Sequence, residues 1–96
     1  MVPTKKPVIW HPKADSELFE ILDFFEKRNN SCHYSRKLYD MIVKRLSLLG
    51  DDCLLGEVTD KENVRQLVVE NYSILYWIRS DAVEVLSIRD GRRSEE

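Results

Sequence analysis

The chain has 96 residues, 43% hydrophobic and 33% charged, with only three glycines and three prolines. That length suits a single core, and so apolar a composition excludes a disordered chain. The net charge of −2 and a pI near 5.7 exclude a protein held on nucleic acid by its overall field. Any phosphate contact must come from a local cluster of cations.

The opening segment Met1-Val2-Pro3-Thr4-Lys5-Lys6-Pro7 carries two lysines with no apolar run behind them, whereas a signal peptide needs about 7–15 apolar residues there. Nothing approaches the ~20 apolar residues of a membrane span. The expectation is a cytoplasmic protein with no membrane partner, one domain over 1–96 with flexible ends at 1–6 and 94–96. Cys32 and Cys53 are too few for a disulfide framework and are expected to be reduced. Together with His11 and His33 they lack zinc-ligand spacing, so neither metal nor cofactor is expected.

Pro7-Val8-Ile9-Trp10 predicts a first strand, ended by His11-Pro12. Pro12 suits the first turn of a helix, where its missing N–H costs nothing. Leu18, Ile21, Leu22 and Phe25 then follow the stripe of an amphipathic helix. Asp15, Glu17 and Glu20 near its start and Lys27 and Arg28 at its end complement the helix dipole. Asn29-Asn30 breaks it, and Ser31 is the expected N-cap of a second helix. That helix carries Tyr34, Leu38, Met41, Ile42, Arg45 or Leu46, and Leu49 on one stripe, with Gly50 as its expected C-terminal cap. So short a connection makes the two an antiparallel helical hairpin.

Residues 51–63 read as an acidic loop. Beyond them, 64–69, 72–79 and 82–89 are rich in Val, Ile, Leu, Tyr and Trp, the residues that suit strands. Glu70-Asn71 and Ser80-Asp81 are short enough for tight turns. The predicted order is β-α-α-β-β-β, an α+β fold in which a helical hairpin packs on one face of an antiparallel sheet. A two-residue turn at Glu70-Asn71 puts Leu67, Val69, Tyr72, Ile74 and Tyr76 on one face, toward the helices. Val64, Gln66, Val68, Ser73, Leu75, Trp77 and Arg79 fall on the other.

Three stretches carry a family resemblance: Val64-Arg65-Gln66-Leu67, Tyr72-Ser73-Ile74-Leu75-Tyr76, and Val83-Glu84-Val85-Leu86-Ser87-Ile88 followed by Asp90-Gly91-Arg92-Arg93. With Trp10-His11-Pro12-Lys13-Ala14 ahead of them, the pattern resembles the RelE/ParE toxin superfamily of type II toxin–antitoxin systems from about Val8 to Arg93. The resemblance implies the fold above and two activities. RelE-like members cut messenger RNA without a metal, usually on the ribosome, whereas ParE-like members poison DNA gyrase. Both are neutralised by a cognate antitoxin, in hetero-oligomers or beside a toxin homodimer.

Metal-free RNA cleavage needs an acid, a base and cations. RelE-like enzymes place basic residues on the strand that here carries Val64 and Gln66, and an arginine where this chain has Ser73. Neither Tyr nor His follows Ile88; of that set only a tail arginine, Arg92 or Arg93, remains. The resemblance therefore implies the ParE-like branch, a gyrase-binding toxin of a plasmid-stabilisation type, with no catalytic residue assigned. The alternatives are an mRNA endoribonuclease using Arg65, Arg79, Arg92 and Arg93, and a non-toxic binding module.

The target-binding candidates are Arg65, Gln66, Trp77, Arg79, Arg89, Arg92 and Arg93. Five of the seven have a structural reading beside the functional one. Arg65 can pair with a loop carboxylate such as Asp60 or Glu62. Arg89, Arg92 and Arg93 can form a solvated tail tempered by Asp90, Glu95 and Glu96. Trp77 can be buried under the N-terminal segment or the antitoxin. The Leu75/Trp77 face, the sheet edges and the hairpin groove are the expected antitoxin docking areas, marked by an exposed apolar patch.

Overall fold

The structure is a computed structural model that describes residues 6–90. Its elements are β1 (Val8–Trp10), α1 (Pro12–Asn29), α2 (His33–Ser47), β2 (Glu57–Val58), β3 (Val64–Val69), β4 (Tyr72–Ile78) and β5 (Val83–Asp90). The two helices and the three-stranded antiparallel meander are as the sequence predicts. Two features are additional. β1 joins the sheet in parallel, against β5, and the 51–63 segment contributes the two-residue β2. The sheet is thus mixed and five-stranded, in the order β1-β5-β4-β3-β2.

Local chemistry sets the helix ends. The His11 side chain accepts from the Lys13 N–H, with Pro12 in the first turn. α1 stops at Asn30, whose φ of 53° is left-handed and whose N–H reaches the Glu26 carbonyl. Ser31 does accept a capping bond, from the His33 N–H at 3.1 Å, but Cys32 holds the N-cap position. Gly50 does not cap α2 as expected, and no described glycine has a positive φ. Instead α2 tightens into a 3₁₀ turn over Leu48–Gly50. The Leu48 carbonyl takes the N–H groups of Asp51 and Asp52, so a terminal helix acceptor is satisfied without a left-handed glycine. The Gly50 carbonyl accepts from the Lys6 N–H at 2.9 Å. Of the ends expected to be flexible, residues 1–5 and 94–96 lie outside the described residues.

The core lies between hairpin and sheet. Ala14 and Leu18 from α1 and Leu38, Ile42, Leu46 and Leu49 from the second helical segment meet Leu67, Val69, Tyr72, Ile74, Tyr76, Val83, Val85 and Ile88. All five residues assigned to the helix-facing side of β3 and β4 are buried. On α2 the buried position in the first turn is Ser35 rather than Tyr34. The Ser35 hydroxyl donates to Glu26 of α1, pinning the two helices near their turn, while Tyr34 packs edge-on to Phe25 at 4.9 Å.

β3 and β4 pair without slip from Val69↔Tyr72 to Val64↔Trp77. Between β4 and β5 the register shifts, with Leu75 opposite Ser87 but Tyr76 opposite Val85. Leu86 is the extra residue of a bulge. The bulge reconciles a sequence in which Val83 and Val85 are odd-numbered and Ile88 is even, yet all three are buried. Without it, strict alternation would turn Ile88 outward.

Glu70, in the β3–β4 turn, has φ of 55°, where a side chain costs roughly 1–2 kcal/mol and glycine does not. After glycine's own entropic penalty, Glu70→Gly is expected to stabilise the fold by about 0.5 kcal/mol, raising the melting temperature by ~2–4 °C. Thermal denaturation checks this; a lower melting temperature would contradict the strain assigned to the turn.

Candidate functional site

Strand register divides the sequence-derived candidates. Gln66, Trp77 and Arg89 sit at positions that face away from the helices, Gln66 opposite Leu75, Trp77 between Val64 and Glu84, and Arg89 opposite Ser73. Among the described residues no helix covers this face, and Trp77 is 42% exposed. Trp77 and Ser73 are four residues apart on β4, so about 13 Å separates the tryptophan from the row of Arg89. Arg89 is exposed. Arg92 and Arg93 lie outside the described residues.

Arg79 and Trp77 are brought together. The guanidinium stands 5.5 Å from the centre of the indole, in cation–π contact. The same guanidinium meets Glu84 at 3.1 Å and Asp81 at 3.5 Å. Its charge is spent on two carboxylates, and what Trp77 and Arg79 offer outward is mainly an aromatic surface. The Arg79 carbonyl also accepts from the Lys6 ammonium at 2.8 Å.

Arg65 is on the other face, directly opposite Tyr76. Its partners are not the carboxylates of Asp60 or Glu62 but backbone carbonyls, Gly56 at 2.8 Å and, more weakly, Leu54 at 3.5 Å. The reason is the path of the chain ahead of β2, which passes across the ends of both side chains. There Tyr76, fully buried, donates its hydroxyl to the Cys53 carbonyl and accepts from the Gly56 N–H, both at 2.8 Å. The Asp52 carboxylate accepts from the Leu54 N–H. Cross-strand partners Arg65 and Tyr76 thus hold the loop 53–56 in one conformation.

Gly56 is the residue that permits this approach. A Cβ there would lie 2.7 Å from the Gln66 carbonyl oxygen and 2.7 Å from the Tyr76 hydroxyl. Alternation identifies Tyr76 as a core residue, but its two hydroxyl bonds reach 20 and 23 residues back along the chain. No local pattern signals them.

A second surface lies where α1 crosses β5. β1 pairs only with Val83, Glu84 and Val85, because the chain turns into α1 at Pro12. Among the described residues no strand pairs with the rest of β5 on that edge. The Glu17 carboxylate caps part of it, accepting the Ile88 N–H at 2.9 Å. Beside it is a groove of about 660 Å³ lined by Ile21, Phe24, Phe25, Tyr72 and Ile88, with Arg28 and Arg89 among the charged residues at its margins. Sequence reading gave Glu17 only a helix-dipole role. Phe19, Phe24 and Tyr39 add exposed apolar surface on the hairpin.

Among the described residues, no group of three or more His, Cys, Asp or Glu side chains could hold a metal ion. No described helix is long and apolar enough to cross a membrane.

The loop lock yields two expectations. Tyr76→Phe strands the Gly56 N–H and the Cys53 carbonyl and should cost about 1–3 kcal/mol, and Gly56→Ala a similar 1–3 kcal/mol through overpacking, both read by urea denaturation. Burial pushes the Tyr76 hydroxyl above its ordinary value of 10.0, with the Gly56 bond and the Arg65 charge only partly offsetting it. A raised folded-state value means that stability is fully present below about pH 10 and falls as pH climbs through the folded value. The alkaline loss of stability should be shallower in Tyr76→Phe; an identical slope would remove Tyr76 as its source.

Comparison with solved structures places the fold. The chain is similar to a protein of the chromosomal ParDE toxin–antitoxin system from Pseudomonas aeruginosa, with a TM-score of 0.79 and 20% identity over 91% of this chain and 97% of that one. It also resembles part of TrmO from P. aeruginosa, with a TM-score of 0.53 and 15% identity, covering 92% of this chain but 34% of that one. At such identities these likenesses speak for the fold alone. No curated protein matches the sequence significantly. The family model for the ParE toxin of type II toxin–antitoxin systems, parDE, matches residues 8–95. The chain, matched by that model over nearly its whole length, belongs to the ParE toxin family of type II toxin–antitoxin systems.

Proposed function

We propose that the protein arrests bacterial growth from the cytoplasm by binding a protein target, DNA gyrase, and that a cognate antitoxin neutralises it in a hetero-oligomer. The observation that carries this reading is the commitment of Arg65 and Arg79, the described pair of the four cations a metal-free nuclease would use here. Such an enzyme requires an acid–base group and cations free to face the RNA. Here the hydroxyl of Tyr76 is buried in two backbone bonds, Arg65 is turned onto loop carbonyls, and Arg79 is paired with Glu84 and Asp81. Gln66 and Ser73 occupy the open face of the sheet. Arg89 stays exposed, and the surface also shows large apolar and aromatic side chains such as Trp77, Phe19, Phe24 and Tyr39, of the kind protein recognition uses.

The antitoxin is assigned to the groove between α1 and β5. An open strand edge beside Ile21, Phe24 and Phe25 accepts either an added strand or the apolar side of a helix.

Induced expression in a bacterial host, with growth, mRNA integrity and plasmid supercoiling followed together, tests the mechanism. Growth arrest with intact mRNA and reduced negative supercoiling is expected, and purified gyrase should be inhibited at near-stoichiometric toxin. Early mRNA cleavage, with gyrase unaffected at excess toxin, would replace this reading with the nuclease. For the antitoxin, Phe24→Asp should raise by at least about tenfold the antitoxin needed for rescue. Unchanged rescue would move the docking site elsewhere.

A further inference from the structure

The segment at the β2 edge of the sheet combines two features that a merely structural loop does not need. It is rigidly held, and it displays large apolar side chains to solvent. Leu54 is 60% exposed, Leu55 46% and Val58 73%. Single exposed leucines are ordinary, but these three lie within five residues. Directly beneath them the fold commits a buried tyrosine hydroxyl, an arginine and an obligatory glycine to fixing the backbone that presents them. Beside Leu54 and Val58 runs a groove of about 400 Å³, also lined by Val64, Arg65 and Ile78. A preformed apolar projection loses little conformational freedom on binding, which is where preorganised surfaces gain affinity.

Charge says what kind of surface it meets. Along this segment stand Asp52, Glu57, Asp60 and Glu62, against Lys61 and the groove-lining Arg65, whose guanidinium is held on the Gly56 and Leu54 carbonyls. This acidic excess repels a phosphate backbone and favours a partner rimmed by cations. The location separates this surface from the groove at β5. Strands β4 and β3 stand between β5 and β2, so the two edges are about 14 Å apart, and a chain seated on one leaves the other free.

We propose that residues 53–58 form the knuckle by which this toxin docks on its protein target, entering an apolar cleft edged by lysine or arginine. The proposal rests on the reading of the protein as a target-binding toxin and does not depend on that target being gyrase.

The test uses the full chain carrying Leu54→Ser with Leu55→Ser, and separately Glu57→Lys with Asp60→Lys. Thermal melting, growth arrest, inhibition of purified gyrase and capture of the antitoxin are measured for each. The serine variant is expected to melt within a few degrees of the parent and to capture antitoxin equally well. It should need at least about tenfold more toxin for half-maximal arrest or inhibition. The charge-reversed variant should also be weaker, with a deficit that shrinks as salt screens the rim. A folded serine variant that arrests growth like the parent would overturn the proposal, as would one that loses antitoxin while still arresting. Should the parent arrest growth while leaving gyrase active, the gyrase reading alone fails. Growth arrest then decides for the loop: relief in the serine variant supports it, persistence overturns it.

Discussion

A two-residue turn determines more of this molecule than its size suggests. Glu70 and Asn71 connect β3 to β4 so that Val69 lies opposite Tyr72, and every cross-strand pair down to Val64 and Trp77 follows from that start. Because side chains alternate across a strand, a slip of one residue would exchange the two faces. It would expel Leu67, Val69, Tyr72, Ile74 and Tyr76 from beneath the helices. At about 1.5–3 kcal/mol for each large apolar side chain buried, that exchange is comparable to the whole 5–15 kcal/mol by which domains of this size are stable. The register is therefore enforced by the core, even at the expense of a left-handed glutamate in the turn.

The same register sets Arg65 across from Tyr76 on the helix-facing side, at the end of the sheet where the helices no longer cover it. An arginine and a tyrosine in so sheltered a position must find hydrogen-bond partners, and the loop leading into β2 supplies them as backbone groups at Cys53, Leu54 and Gly56. Satisfying two polar side chains and immobilising a loop are one structural event. Its consequence on the outside is a leucine-bearing projection with a fixed shape.

At the opposite edge the controlling feature is the shortness of β1. Its three residues cover less than half of β5, and the helix that begins at Pro12 takes over from the strand without closing the edge. Glu17 satisfies the edge amide of Ile88, and the space alongside is lined by aromatic and aliphatic side chains. The fold therefore has an apolar outlet at each of two sheet margins, and of the cationic candidates Arg79 is met by Glu84 and Asp81, Arg65 donates to loop carbonyls and Arg89 is exposed. Such an arrangement suits a protein that must be held by one partner and act on another.

The amino-acid order alone determined the α+β class, both helices, the three-stranded meander and the division of β3 and β4 into a buried and an open face. These depend on periodicity and turn chemistry, which are local. It also carried the family signature, spread over strands whose pattern is contiguous. The bulge at Leu86 was legible in principle, from the change of parity between Val85 and Ile88, because alternation is a sequence property. Tertiary structure alone decided the parallel placement of β1, the conversion of Gly50 from a cap into an acceptor for Lys6, and the role of Gly56. It likewise decided that Arg65 faces loop carbonyls and that Arg79 is divided between Trp77, Glu84 and Asp81. Each of these depends on groups far apart in the chain meeting at hydrogen-bond distance. A side chain's charge is written in its identity, but whether that charge is available to a partner is settled only by what the fold places beside it.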